Sequence, residues 1–282
     1  MAGNVSCIIR AYNEAADIGA LIERLQAQAV SAGRLEIIVI DSGSTDSTPQ
    51  VAKGLGARLI QIPRSEFNYS STLNMGIEAA AGELILIVSA HILPREDDWL
   101  DKMISRFSDD SVAGVYCRQV ARAGADWREV LRLEKQFGAE SIRFEQGRSL
   151  DGLCFSNSAS CIRRSIWQKH PFIVMTAAED REWAHWAVQN GCAIVYEAGA
   201  SVYHSHQEAA REAARRLIAI EKAADMRVGF RRTRLLTLRQ ACGLVLRETK
   251  EIFTHRRCKG ARVRSCAETF ARAFWYAVDF ND

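Results

Sequence analysis

The first 90 residues alternate between short, mostly apolar runs and segments whose apolar residues recur at helical spacing. Ile18, Leu21, Ile22 and Leu25 follow the i, i+3, i+4, i+7 pattern of a helix with one buried face. The apolar runs predict strands at residues 5–9, 35–40, 58–62 and 84–88. Strands that alternate with helices at this spacing predict an α/β fold with βαβ units and a parallel sheet.

The residues that follow these strands are the first candidates for chemistry. Right-handed crossovers bring the carboxyl ends of parallel strands to one edge, so we expect Tyr12, Asp41 and His91 to lie together there. Carboxylates in such loops commonly hold a ribose, a base or a metal-bound diphosphate. A helix-capping turn is the simpler explanation for Ser44 and its neighbours, but it does not explain Asp41 at the strand's own end.

The second half continues the alternation with two further signals. Glu179 and Asp180 begin a predicted helix, where acidic residues also favour the helix dipole without any catalytic role. Residues 194–197 and 201–206 are predicted as a hairpin-like pair of strands. His204 and His206 lie two apart in the second strand and would share a face, which indicates a metal or phosphate site.

Charge divides the chain into two parts. Residues 208–282 hold 17 Lys and Arg against 9 Asp and Glu, whereas residues 1–207 hold 20 against 25. The pattern therefore predicts a domain at 1–207 and a basic, helical C-terminal extension at 208–282. That extension either packs back on the domain or contacts an anionic membrane surface peripherally. A nucleic-acid partner is not expected, because no binding motif occurs.

Composition indicates a cytoplasmic protein. The first strand begins too early for a signal peptide, and no apolar run reaches the length of a membrane span. The eight cysteines form no C-x-x-C pair, so we expect reduced, mostly buried thiols and no zinc site.

Several motifs occur in a fixed order and carry a family resemblance. They are Arg10-Ala11-Tyr12-Asn13-Glu14, Asp41-Ser42-Gly43-Ser44-Thr45-Asp46, Asn74 with Gly76, Pro94 with Trp99-Leu100, Glu179-Asp180 with Trp183, and Val202-Tyr203-His204-Ser205-His206. As a set they resemble the family 2 inverting glycosyltransferases of the GT-A fold, most nearly the bacterial rhamnosyltransferase-like branch. The resemblance covers about residues 5–206.

The resemblance implies both a fold and a reaction. The fold is a mixed, mostly parallel sheet flanked by helices. The reaction transfers a sugar from a nucleotide-sugar donor to a saccharide or lipid-linked acceptor in cell-surface polysaccharide synthesis at the inner face of the membrane. Asp180 matches the general base, with Glu179 beside it. The implied nucleotide-sugar-binding residues are Ala11, Tyr12, Glu14, Asp41, Ser42, Asn74, Ser89, Ala90 and His91.

The chain departs from the family where Ser89-Ala90-His91 replaces the usual Asp-x-Asp, whose last carboxylate ligates a divalent metal. Three interpretations remain open. His91 is a ligand of Mn²⁺ or Mg²⁺ together with His204 or His206, although imidazole suits Mn²⁺ better than Mg²⁺. Alternatively, His91 contacts the diphosphate without a metal, or catalysis is lost.

A second departure concerns the donor. The rhamnosyltransferase branch carries a basic residue immediately before Asn74, where this chain has Leu73. This weakens an assignment to dTDP-rhamnose but not the family resemblance. The rival functions are a non-catalytic nucleotide-sugar-binding or scaffold subunit and a nucleotidyltransferase. The second would need a glycine-rich phosphate loop, which residues 10–14 lack.

Overall fold

The computed structural model describes residues 4–28, 35–125 and 127–204. All of these except 125, 127, 128 and 176–178 belong to one compact unit. The predicted extension at 208–282 and the candidate ligand His206 lie outside the described residues. Within the described part, no helix is long and apolar enough to span a bilayer. Cys7, Cys117 and Cys161 are buried free thiols, as the composition predicts.

The described residues form seven α-helices and nine strands. The helices are α1 (Ile18–Gln28), α2 (Thr48–Gly54), α3 (Tyr69–Ala79), α4 (Trp99–Ser105), α5 (Trp127–Gln136), α6 (Arg164–Trp167) and α7 (Glu179–Gln189). The strands are β1 (Val5–Ala11), β2 (Leu35–Asp41), β3 (Arg58–Gln61), β4 (Leu84–Ser89), β5 (Leu93–Pro94), β6 (Val112–Val120), β7 (Ile142–Phe144), β8 (Ala159–Arg163) and β9 (Ala193–Tyr203).

All nine strands join one mixed sheet in the order β3-β2-β1-β4-β8-β6-β9-β5, with β7 also paired to β9. The first half is parallel, as the βαβ pattern predicts: β1 pairs with β2 and with β4, and β2 pairs with β3. Strand β8 runs antiparallel between β4 and β6. Its beginning therefore lies at the same sheet edge as the carboxyl end of β4.

Alternate side chains of the central strands enter two separate cores. Cys7 and Ile9 of β1 pack with the apolar faces of α1 and α4, whereas Ile8 packs on the opposite face with α3 and α7. Strand β4 is buried on both faces throughout Leu84–Val88, which explains why its sequence there is continuously apolar. The structure is thus a sheet between two helical layers.

The predicted pair of strands near residue 200 is wrong. Residues 193–203 form the single strand β9, which runs parallel to β6. The register shifts between Cys117 and Arg118, where their partners on β9 are Glu197 and Ser201. Gly199 in this interval resembles a turn in the sequence, yet here it marks a bulge inside one strand.

Helix α3 packs against the sheet through Gly76. A Cβ atom at this position would lie 2.6 Å from Ile40 Cδ1 and 2.7 Å from Ile8 Cγ2. We therefore expect Gly76→Ala to lower the free energy of unfolding by about 1–3 kcal/mol through overpacking. Urea denaturation measures this change.

Gly54→Ala is the matched control, because a Cβ at this helical glycine of α2 meets nothing within 4 Å. It should raise the free energy of unfolding by a few tenths to about 1 kcal/mol. Equal stability of Gly76→Ala and the wild type would contradict the close approach of α3 to the sheet.

Candidate active site

The strand register brings the predicted loop residues to one sheet edge. Ala11 at the end of β1 pairs with Asp41 at the end of β2, and Arg10 pairs with Ser89 at the end of β4. The loop that carries Tyr12 therefore leaves the end of β1, and the loops after Asp41 and Ser89, the second of which carries His91, leave the two strands on either side of it. This edge is where ligands bind in open α/β sheets.

Hydrogen bonds tie the loop after β1 to the loop after β2. The Asn13 amide donates to Ser44 Oγ at 2.8 Å, and Asn13 Oδ1 accepts from the Thr45 amide at 2.8 Å. The Glu14 amide donates to Thr48 Oγ1 at 2.8 Å. Asn13 adopts a left-handed φ of 54°, which asparagine tolerates better than most residues. The two loops thus form one unit in front of the sheet.

Two buried polar side chains at this double loop are only partly hydrogen-bonded. Asp41 and Ser42 are 0% and 1% exposed. Asp41 Oδ2 accepts a hydrogen bond from the Ser44 amide at 3.2 Å, but Asp41 Oδ1 and Ser42 Oγ have no partner among the described residues. An unsatisfied buried acceptor costs about 1–3 kcal/mol. Asp41 therefore favours a ligand that brings an N–H or O–H group.

The same double loop carries an exposed aromatic ring. Tyr12 is 40% exposed, and the Arg64 guanidinium lies 4.0 Å from the centroid of its ring. An exposed aromatic ring next to a buried hydrogen-bond acceptor suits a planar, hydrogen-bonding ligand such as a nucleobase.

His91 belongs to a chain of four side chains. Its Nδ1 lies 2.9 Å from Glu14 Oε1, and its Nε2 lies 3.2 Å from His204 Nε2. His204 Nδ1 lies 2.7 Å from Gln119 Oε1. The two rings are nearly parallel, with an interplanar angle of 18°. The structure therefore brings together His91 and His204, which are 113 residues apart.

The outer partners determine what the two Nε2 atoms can do. Glu14 and the amide oxygen of Gln119 are acceptors, so they hold the proton of each ring on Nδ1. With a proton on Nδ1 of each ring, the two Nε2 atoms face each other across 3.2 Å, and a shared proton or a cation between them stabilises the pair. Metal-binding histidines characteristically donate Nδ1–H to a carboxylate or an amide carbonyl.

The protein supplies two nitrogen donors here rather than a complete metal cage. Among the described residues, no group of three or more His, Cys, Asp and Glu side chains could hold a metal ion. A cation at His91 and His204 would therefore take its remaining ligands from elsewhere. Mn²⁺ accepts imidazole, and oxygen donors of a phosphate group suit it equally well.

Glu179 and Asp180 lie at the start of α7 in different surroundings. Both carboxylate oxygens of Asp180 accept backbone N–H groups, from Asn157 at 3.0 Å and Arg181 at 2.8 Å. Glu179 is 4% exposed, with Arg10 Nη1 at 3.9 Å. Burial, and secondarily the charge of Asp180, raises the pKa of Glu179 to about 7. A buried carboxyl with a raised pKa therefore lies directly beside Asp180.

Asn74 lies at the contact between α3 and the segment before α7. Its Nδ2 donates to the Phe172 carbonyl at 2.7 Å, and its Oδ1 accepts from the Phe172 amide and from Trp167 Nε1. These bonds give Asn74 a structural role, and its assignment to the nucleotide sugar stays a prediction.

The remaining predicted residues are part of the sheet edge itself. Ala11 is buried and accepts the Ser42 amide, and Ala90 is fully buried. Ser89 is half-buried, and its amide donates to the Ser158 carbonyl at 3.1 Å.

Sequence reasoning missed three residues of the site. Gln119 is 4% exposed and fixes His204, and Asn157 is 2% exposed and holds Asp180. Arg122 donates to the His91 carbonyl and pairs with Asp17, each at 2.6 Å. A polar residue at an inward position of a strand would have indicated Gln119. The sequence contains no comparable signal for Arg122.

Comparison with known proteins adds independent findings. A family model described as glycosyl transferase family 2 matches residues 6–169. The O-antigen chain rhamnosyltransferase WbaN of Salmonella anatum is 28% identical over 188 residues, which cover 63% of this chain and 58% of WbaN. The O-antigen chain rhamnosyltransferase RfbN of Salmonella typhimurium is 26% identical over 220 residues, which cover 74% of this chain and 68% of RfbN.

The fold also has solved counterparts. The mannosyltransferase PcManGT from Pyrobaculum calidifontis, solved in complex with GDP-Man and Mn²⁺, matches with a TM-score of 0.71 at 16% identity. The match covers 99% of this chain and 87% of that one. At this identity the similarity is one of fold.

The raised pKa of Glu179 predicts a pH dependence of stability. Between pH 4.5 and about 7 the folded state keeps a proton that the unfolded chain has lost, so stability falls as the pH rises through this window. Relative to Glu179→Gln, the wild type should lose up to about 3 kcal/mol in the free energy of unfolding by pH 8, at about 1.4 kcal/mol per pKa unit. Urea denaturation at four pH values measures this difference.

The exposed Glu78→Gln on α3 is the control for loss of a negative charge. Its pH profile should follow the wild type. Parallel profiles for the wild type and Glu179→Gln would mean that Glu179 ionises with its ordinary pKa.

Proposed function

The chain belongs to glycosyl transferase family 2, in the rhamnosyltransferase-like branch, and from this we propose that it is an inverting transferase that moves a sugar from a nucleotide-sugar donor to a saccharide or lipid-linked acceptor. Its fold is the GT-A fold of that family. One observation carries the proposal. The register of the central strands brings the buried Asp41 carboxylate and the His91–His204 pair to a single edge, and Asn157 in the turn before β8 holds Asp180 there.

The nucleoside part of the donor occupies the double loop. A base stacks on Tyr12, and its N–H group or a ribose hydroxyl satisfies the buried Asp41 carboxylate. Ser42, also buried and without a partner in the described chain, provides a second polar contact. These contacts suit any nucleotide and do not indicate which base the donor carries.

The donor set of the histidine pair fits a divalent cation. His91 and His204 would hold it through their Nε2 atoms, while Glu14 and Gln119 orient the rings. When bound, the cation stabilises the negative charge that develops on the leaving diphosphate. The two imidazoles thus take the place of the family's Asp-x-Asp carboxylate, and His206 stays a candidate ligand outside the described residues.

Asp180 is the general base. It takes the proton of an acceptor hydroxyl, whose oxygen bonds to the anomeric carbon of the donor sugar as the bond to the diphosphate breaks. The amides of Asn157 and Arg181 fix its orientation. Glu179 is largely protonated below its pKa of about 7, which limits the charge repulsion on Asp180.

The acceptor belongs to cell-surface polysaccharide synthesis, as the similarity to the O-antigen chain rhamnosyltransferases WbaN and RfbN suggests. We further propose that the protein acts at the cytoplasmic face of a membrane, where its basic residues 208–282 contact anionic lipid. The second candidate function is a nucleotide-sugar-binding subunit without turnover. The replacement of Asp-x-Asp by Ser89-Ala90-His91 favours it.

Asp180→Asn tests the general base. The change keeps the shape of the side chain but removes the basic group, so release of nucleoside diphosphate from the cleaved nucleotide sugar should fall about 10²- to 10⁴-fold. The dissociation constant of the nucleoside diphosphate, measured by calorimetry, should stay within about twofold. The experiment needs a screen of UDP-, GDP- and dTDP-sugars first.

Glu182→Gln, on the same helix and paired with His170, should keep wild-type turnover. Near-normal turnover of Asp180→Asn would refute its role. Tight nucleotide binding without turnover in the wild type would instead support the binding-subunit function.

Removal of divalent cations tests the histidine pair. Protein treated with EDTA should lose turnover and regain it with Mn²⁺, and His204→Ala should need at least about tenfold more Mn²⁺ for half-maximal rate. His170→Ala is the matched control, since His170 likewise contacts a side-chain oxygen, Glu182 Oε1, at 3.1 Å. Full activity in EDTA would exclude the cation and favour direct contact of His91 with the diphosphate.

A further inference from the structure

Tyr69 is an exposed aromatic residue held in a fixed position. It begins α3 and is 45% exposed. Asn68 caps the helix by accepting the amides of Ser70 and Ser71 at 3.0 and 3.1 Å, and it donates to the Met175 carbonyl at 3.1 Å. On the other side of Tyr69, Ser70 Oγ accepts the Met175 amide at 3.4 Å, so the side chains of both neighbours are bound to the segment that leads towards α7.

Arg10 connects the Tyr69 ring to the acidic pair. Its guanidinium carbon lies 4.9 Å from the ring centroid, and its Nη1 lies 3.5 Å from the Tyr69 carbonyl oxygen. The same Nη1 lies 3.9 Å from Glu179 Oε1. The Arg10 side chain is only 15% exposed, so this connection is largely shielded from solvent. A single guanidinium thus spans from an exposed ring to the residue beside the proposed base.

Tyr12 and Tyr69 are both exposed at this edge, and their neighbours separate their roles. Tyr12, under Arg64, belongs to the double loop that contains Asp41. Tyr69, under Arg10, lies on the side of Glu179. Since the general base acts on the acceptor hydroxyl, a ring on that side is placed to meet the acceptor rather than the nucleotide.

Single exposed tyrosines are ordinary, so exposure alone would not indicate a site. Tyr69 is distinguished by Arg10, which contacts both its ring and Glu179. An aromatic face packs well against the C–H face of a pyranose, and a neighbouring guanidinium donates hydrogen bonds to sugar hydroxyls. We propose that Tyr69 and Arg10 form the acceptor subsite, where a sugar ring of the acceptor stacks on Tyr69 and presents a hydroxyl to Asp180. This rests on the proposed transferase function.

Saturation-transfer NMR on the full chain with Mn²⁺ and a nucleoside diphosphate tests the subsite. The probes are the methyl glycosides of rhamnose, galactose, mannose and glucose. We expect at least one of them to bind the wild type. Tyr69→Ala should weaken that binding about tenfold through loss of the stacking surface. Tyr69→Phe, which keeps the ring, should stay within about twofold of the wild type.

Met75→Ala is the matched control, since Met75 is an exposed apolar residue on the same helix and 40% exposed. It should bind the glycosides as the wild type does. Unchanged glycoside binding by Tyr69→Ala would overturn the subsite, as would the absence of binding to the wild type. Weaker nucleoside diphosphate binding by Tyr69→Ala, with glycoside binding intact, would overturn it by assigning the ring to the donor.

A failure of the proposed function gives a different result. If no nucleoside diphosphate binds, the transferase function fails. Glycoside binding that depends on Tyr69 would then still support a saccharide subsite.

Discussion

The parallel register of β2, β1 and β4 is the constraint on which the site depends. Because Ala11 pairs with Asp41 and Arg10 pairs with Ser89, three loops leave the sheet at the same level. A shift of one residue in either pair would turn every side chain of that strand to the opposite core. The buried apolar side chains of both cores thus also fix the positions of the polar residues at the edge.

Strand β8 extends this constraint to the second half of the chain. It begins next to the end of β4, which brings Ser156 and Asn157 to the same edge. Ser156 Oγ accepts from Gln119 Nε2 at 3.1 Å, and Gln119 in turn holds His204. The amide of Asn157 holds Asp180. Two adjacent residues of one turn therefore support the groups proposed for the leaving diphosphate and for the acceptor proton.

Helices and strands that have a clear local pattern of apolar residues can be predicted from the sequence. The position of a residue that depends on pairing between strands far apart in the sequence cannot. The run at 84–88 and the helical spacing of Ile18, Leu21, Ile22 and Leu25 specify β4 and α1. The order of the loops follows from the handedness of the crossovers. The contact of His91 with His204 depends on β9 lying beside β6, and the sequence instead suggested a hairpin around Gly199. Likewise, only the packed structure shows that burial falls on Glu179 rather than on Asp180.

The central claim is that this edge holds a nucleotide sugar, with its diphosphate at the histidine pair. Anomalous diffraction at the manganese edge, from crystals grown with Mn²⁺ and the tightest-binding nucleoside diphosphate, tests it most directly. The account predicts one manganese peak within bonding distance of Nε2 of both His91 and His204, with the base stacked on Tyr12 beside Asp41. A nucleotide bound away from Asp41, or manganese bound apart from both histidines, would contradict it.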